Sequence, residues 1–393
     1  MSTKIGLGVS TKLDPFVAGR EATKDASYQL SELNPAIVIV FISTIFEQQQ
    51  VIRGIRSIIK ETPLIGCSAA GSLTSLGASK DSVAVCIIGS DSIRFSCGAG
   101  YRINKNPRLA GSDAARQSST LKNTRRQLYI MFSDGLSVNS AEVLRGAQEV
   151  LGTSFPIIGG VATDNLRFHK TYQYLGNVYT DAAVGLLMSG DIDIGIGNAH
   201  GWRPIGKPHK ITKATSNTVR EIDKKIAVEL YEDYLNTAFD ELKLEGIAKL
   251  GSSYPLGMSL KEKKEYLIRA PIKVEDNGSL ILSAEVPEQQ EISLMIGDKT
   301  LVLEATKKAC VEAVKNIKSG KIKFAIVFSD IGRLQVLRKN LESEVEIIKS
   351  VLGNDVPFFG CYTYGQYGPI DMQGAKGQSY FHNQAISIAI FSE

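Results

Sequence analysis

Serine, cysteine and histidine are the side chains through which this chain could form a covalent intermediate or hold a metal. The segment Gly66-Cys67-Ser68-Ala69-Ala70-Gly71 comes near the G-x-S-x-G turn that presents a nucleophilic serine, but Ala70 stands where the second glycine relieves crowding. The matching segments Gly159-Gly160 and Gly360-Cys361 carry no serine in the equivalent place, so a serine hydrolase using Ser68 is a second alternative and not the leading reading. Only four histidines are available: His169, His200, His209 and His382. His209 lies in a Lys-Pro-His-Lys stretch that reads as solvent-exposed, and His169 sits where it could cap a turn. His200 precedes the backbone-demanding segment Gly201-Trp202-Arg203-Pro204-Ile205-Gly206, and His382 falls just before an apolar strand. There is no H-E-x-x-H, no paired C-x-x-C and no C-x-x-C-H, which removes the common zinc and c-type haem signatures. No G-x-x-x-x-G-K-[ST] loop occurs, and Gly195-Ile196-Gly197-Asn198-Ala199-His200 misses the dinucleotide fingerprint by its third glycine and reads as a loop.

The elements that must position these residues come from a chain of 393 residues, 43% hydrophobic and 22% charged, which is the composition of a globular protein with two or three cores. A net charge of +4 and 7% aromatics give no footprint for nucleic acid. The longest apolar run, Ala36 to Ile42, is far shorter than a bilayer span, and no signal peptide is evident at the N-terminus. The five cysteines, at 67, 86, 97, 310 and 361, form no paired spacing and read as free thiols in a reducing, cytoplasmic setting.

A module recurs three times. Apolar strands at Ile37–Phe41, Leu128–Phe132 and Phe324–Phe328 are each followed by an amphipathic helical pattern, by a Pro-apolar-apolar-Gly segment at 63, 156 and 357, and by a second strand. Gly152 and Gly353 stand where a helix takes a left-handed C-terminal residue. The pattern predicts an α/β protein: repeated strand–helix–strand units forming mixed sheets in two modules flanked by helices. The basic stretch Tyr101–Leu128 reads as a solvated linker with a surface helix, and Glu275-Asp276-Asn277-Gly278 as a hairpin turn.

These segments resemble the FIST sensory proteins. The matches are Pro63 to Gly71, Phe132-Ser133-Asp134-Gly135, Pro156 to Gly160 with Asp164, Gly201 to Gly206, Tyr254 to Gly257, Gly360 to Gly365 and Phe381-His382-Asn383. Two positions depart: Gln366 stands where the family usually has Glu, and Asp330 where it tends to have Cys. The resemblance implies an N-terminal strand and helix over 1–33, a FIST N module over 34–219 and a FIST C module over 220–393. It implies a sensor, not an enzyme, with a ligand pocket between the modules lined by Gly66, Cys67, Ser68, Gly159, Gly160, Trp202, Gly360, Cys361, Tyr362, Thr363 and Asn383. Two modules consume the chain, so signalling would pass by contact to a separate histidine kinase; a homodimer is left open. In the stand-alone subgroup that it resembles, the ligand would be haem b sensing nitric oxide, with His382 as first axial candidate and metal ligand and His200 as second. An amino acid or other small metabolite is the alternative.

Overall fold

The computed structural model describes residues 3–393 except 32, 121–123, 138, 245–246, 261–264, 319, 371 and 373–376. Its architecture follows from strands that are apolar on both faces. In Ile37–Ile42, residues 37, 39 and 41 enter one core while 38, 40 and 42 enter another, and Arg126–Ser133 and Ile322–Asp330 divide in the same way. A strand buried on both sides needs a layer on each face. Here one face turns to a central core shared by three sheets, and the other is covered by helices. The expected α/β class with mixed sheets and flanking helices is therefore what is found.

Each of the three sheets has six strands in the same order. In the first, Thr3–Ser10 pairs with Val83–Ser90, then come Ile37–Ile42 and Leu64–Ser68, which run parallel, and a hairpin closes the edge. That hairpin is never the repeat's own. Strands Gln173–Leu175 and Asn177–Tyr179 of the second repeat extend the first sheet. Strands Gln366–Pro369 and Ser379–His382 of the third extend the second sheet, and Gly71–Thr74 and Gly77–Lys80 of the first extend the third. The exchange is cyclic. At the centre Phe41, Phe132 and Phe328, one from each repeat, pack edge to face with centroids 5.6, 6.2 and 5.7 Å apart.

The near-fingerprint at Gly195 and Gly197 proves to be part of strand Asp193–His200 and not a loop. A Cβ on Gly195 or Gly197 would strike the carbonyl oxygens of Ala313 and Ala309 in helix Lys299–Lys315. The same arrangement sets Gly6 and Gly8 against Ala26 and Ala22, and Gly98 and Gly100 against Ala114 and Ala110. So G-x-G marks the first strand of every repeat and lets an alanine-rich helix lie directly on it. This corrects the reading of the basic stretch: helix Pro107–Ser118 is a structural member of the second repeat, buried through Ala110, Gly111, Ala114 and Ala115. Its Arg108 pairs with Glu142 and Glu149 outside, while Lys122 lies outside the described residues.

Gly152 and Gly353 do end their helices at positive φ, but with ψ near 143° at both. That is an extended conformation open to glycine alone, not the left-handed cap expected. In the third repeat the segment between strand Asp193–His200 and helix Lys299–Lys315 is expanded into a separate eight-stranded sheet with its own apolar core. The hairpin signal at Glu275–Gly278 is found there, joining Pro271–Val274 to Leu280–Leu282 with Gly278 at φ +77°. All five cysteines are free thiols, and Cys67 and Cys361 lie side by side in the central core. Among the described residues no helix is long and apolar enough to cross a membrane.

Phe132→Ala is expected to cost about 3–5 kcal/mol, because the cavity would open at the point where three sheets meet. Gly100→Val should destabilise comparably, whereas Val at the neighbouring exposed Tyr101 should be nearly neutral. Chemical denaturation of the three variants checks the order; equal midpoints for Phe132→Ala and the parent would contradict the shared-core account.

Candidate functional site

The Pro-apolar-apolar-Gly segments position less of a pocket than expected. Gly66, Gly159 and Gly360 sit inside strands, where an added Cβ would meet the carbonyl oxygens of Val40, Met131 and Val327 at 1.8, 1.9 and 2.1 Å. The close approach they permit is to the adjacent parallel strand. Gly160 is packed against the Thr363 side chain, and Cys67 and Cys361 belong to the central core. Ser68 is fully buried, and its hydroxyl accepts from the Tyr172 N–H at 3.1 Å; no histidine is among its hydrogen-bond partners. Tyr362 donates to Glu344, whose carboxylate forms a fully buried ion pair with Arg333. Trp202 is buried, with its indole N–H donating to the Ser252 carbonyl at 3.0 Å. His209 is half-buried, not free in solvent, and lies 2.7 Å from Asp223. His169 is exposed, and its backbone N–H, not its ring, helps to hold a turn around Asp164.

His200 and His382 do come together, lining one cavity of about 410 Å³. Burial pushes His382 down to about 3 and His200 to about 4, so both rings are neutral. His382 Nε2 is 2.9 Å from the Gly368 carbonyl and 2.7 Å from the Asn198 amide, and His200 Nδ1 accepts from the Trp202 N–H. Glu265, Lys308, Glu312 and Lys315 line the same walls. A haem asks for a free imidazole nitrogen over an apolar slot. With His382 Nε2 engaged by Gly368 and Asn198 and charged side chains in place of an apolar slot, the first-choice donor set does not fit that group.

A second cavity, of about 320 Å³, gathers the family motifs. The second repeat supplies Gly135, Leu166 and Phe168, the third supplies Asp330, Tyr364, Asn383 and Gln384, and the inserted sheet supplies Ala270 and Pro271. Of the residues named from sequence as the ligand pocket, Asn383 alone lines it, while Thr363 is linked to the lining residue Asp330 through Gln366. Asp164 shapes one wall. It accepts from the N–H groups of Phe168, His169 and Lys170 and from the Tyr364 hydroxyl at 2.5 Å. Burial acts to raise its pKa, but these bonds win and hold it below the usual carboxylate value. They also hold Asn165, Leu166 and Phe168 at φ near +60°, a conformation that non-glycine residues adopt at a cost of about 1–3 kcal/mol. Phe168 thereby stacks on Tyr364, with ring centroids 5.5 Å apart.

On the facing wall, the two departures from the family pattern meet. Gln366 donates from Nε2 to Asp330 Oδ2 at 3.2 Å and to Thr363 at 2.9 Å. Asp330 also accepts from the Gly332 N–H at 2.8 Å. The carboxylate absent at 366 is thus supplied from 330. Burial, partly offset by bonds from Gly332, Gln384 and Gln366, pushes Asp330 up to about 6. Gln384 stands at φ +58°, its carboxamide filling the place that a Cβ on Gly332 would take. The Gln366, Asn383 and Gln384 side-chain oxygens are buried without a hydrogen-bond partner.

The FIST N domain matches residues 36–225 and the FIST C domain residues 227–369, which together cover most of the chain. The chain belongs to the FIST family. FIST domains are signal-transduction sensor domains that bind small ligands. The third repeat begins inside the FIST N match, at Asp193, so the family division cuts across the threefold one. An uncharacterized protein of Methanocaldococcus jannaschii is 26% identical over 343 residues, covering 81% of this chain, which spans 64% of that relative's length. An uncharacterized protein of Mycobacterium tuberculosis is 23% identical over 411 residues, covering 99% of each. Among solved structures, a cyanuric acid hydrolase from A. caulinodans aligns over 100% of this chain and 99% of its own, at 6% identity and a TM-score of 0.38, too remote to bear on function.

Asp330 carries a charge in a place that disfavours it, and the sign of the effect follows. Its folded pKa lies above the unfolded value of 3.8, so the stability it contributes is complete below that value and is lost as pH rises through about 6. Asp330→Asn, with the Gln366 amide turned to accept, is expected to stabilise the FIST fold by about 1–3 kcal/mol at neutral pH. The gain should shrink on acidification. Thermal unfolding across pH measures this, and a destabilised variant at neutral pH would contradict it. For the histidine cavity, hemin titration followed by absorption is expected to give no Soret band that changes in His382→Ala; a band lost in that variant would reverse the assignment.

Proposed function

We propose that this FIST protein is a sensor of a small polar metabolite, bound in the cavity between the second repeat, the third repeat and the inserted sheet. The observation that carries the reading is the set of buried, unpartnered side-chain oxygens beside a buried carboxylate at that junction. Such atoms cost free energy unless something binds them, and native proteins retain them where they serve a site. A ligand touching all three walls would favour one relative placement of FIST N and FIST C, which is how binding energy becomes a conformational signal. The loop held by Asp164 is the natural moving part, since its strained backbone is kept in place by one carboxylate and one aromatic stack. The change would be read by a separate protein, for which the family resemblance points to a histidine kinase in the cytoplasm. Haem and nitric oxide are the less favoured reading, because the residues nominated for them lie in the other, charged cavity.

A thermal-shift screen with a metabolite library tests this. Compounds that raise the melting temperature should lose most of that effect in Asp164→Ala and in Ala270→Phe, which would fill the cavity. Stabilisation undiminished in both variants would place the binding site elsewhere.

A further inference from the structure

The chemistry of the cavity wall says more than that something binds. Asp330, Asn383 and Gln384 are each about 3% exposed, and all three line the space. The Asn383 amide nitrogen donates to the Tyr364 carbonyl at 3.2 Å, which fixes the orientation of its carboxamide and leaves Oδ1 without a partner. The Gln384 side-chain oxygen is likewise buried and unpartnered. A carboxylate has about four acceptor positions, and Asp330 accepts from the Gly332 and Gln384 N–H groups and the Gln366 amide. Among the described residues no ion pair joins Asp330 to a cation: the nearby Arg333 lowers the cost of its charge from a distance, but gives Nε and Nη2 to Ser329, Thr306, Glu344 and the Val302 carbonyl while its Nη1 has no partner. Nor does any lysine, arginine or histidine line the cavity. The wall therefore offers acceptors and a negative charge, and no cationic side chain among its lining residues to pair with an anion.

We propose that the cavity selects a ligand bearing a protonated amine and no free carboxylate, its ammonium held by Asp330, Asn383 Oδ1 and Gln384 Oε1. This rests on the cavity being the sensor's ligand site and specifies what that site takes. An ammonium has three N–H donors and no acceptor, which matches a wall whose lining residues carry a carboxylate and two unpartnered oxygens. It also supplies the missing counter-charge, and a charge-assisted bond in a dry site is stronger than a neutral one. The stacked rings of Phe168 and Tyr364, with Leu166 and Ile331, give an apolar surface for the rest of the molecule. Aromatic faces also tolerate a cation better than an anion. An α-amino acid would bring its carboxylate into a pocket lacking a cation, and leaving it unpaired would cost much of what the ammonium gains.

The test is isothermal titration of the full chain with matched probes: hexylamine and phenethylamine, hexanol, hexanoate, and phenylalanine. Both amines are expected to bind at least about tenfold more tightly than the alcohol, the carboxylate or the amino acid. Asp330→Asn, which should fold at least as stably as the parent, is expected to lose that preference while still binding hexanol as before. Asn383→Ala should weaken both amines severalfold with hexanol unchanged. Hexanoate or phenylalanine binding as well as the amines, and displaced by Ala270→Phe, would overturn the amine assignment while leaving the cavity as the ligand site. Amine binding unchanged in Asp330→Asn would also overturn it. No probe of any class binding in a way that Ala270→Phe abolishes would overturn both.

Discussion

The exchange of edge hairpins among the three repeats is the constraint on which everything else in this molecule rests. A sheet edge with unpaired N–H and C=O groups is a liability that proteins must cover. Here each repeat covers the edge of another, so no sheet is complete within a single repeat and the three are all closed only when the cycle of exchange is complete. The phenylalanines at 41, 132 and 328 then meet because the sheets they stand on have been brought together. The outer helices can lie close only because each first strand carries two glycines facing alanines. Local choices and global closure point the same way, which is the mark of a chain that specifies one fold.

Against this near-symmetry the site is a place where the repeats differ. Ser43, Asp134 and Asp330 occupy corresponding positions after the central phenylalanines. Asp134 is saturated, accepting from the Leu136, Ser137 and Asp181 N–H groups and the Thr171 hydroxyl. Ser43 donates to Asp81. Asp330 has fewer partners and faces a cavity that the inserted sheet walls in. The insertion builds no part of the shared core; it gives one of three equivalent buried positions a cavity to line.

How much of this was legible in the sequence depends on range. The central strands, the helices after them and the Glu275–Gly278 hairpin follow from local pattern, since burial on both faces and helical spacing write themselves into a few consecutive residues. The N-terminal strand was expected, but the first strand of the third repeat was hidden because G-x-G at Gly195 suggests a loop when its alanine partners lie outside the window. Hairpin exchange left no local trace, as pairing such as Tyr174 with Gly66 joins residues remote in the chain. The glycine segments were read as pocket walls for the same reason: a close approach was correctly inferred, but not to what. Asp330 and Gln366 were singled out as departures from the family without any sign that they hydrogen-bond each other. Ser252, Ala270, Pro271, Ile272 and Ser283, which close the cavity, belong to no motif that announces them.

The direction of the hairpin exchange sets the order of assembly. The first repeat gives its hairpin to the third, the third to the second, and the second to the first. Donor and acceptor edges within one repeat thus face different neighbours, as in a head-to-tail ring. During synthesis the first sheet can be closed once the second repeat emerges, but the second waits for the hairpin strands Gln366–Pro369 and Ser379–His382 and the third for its own strand Ala385–Ser392. The cavity, lined by residues up to Gln384, is therefore enclosed only when the last segment of the third repeat has been made.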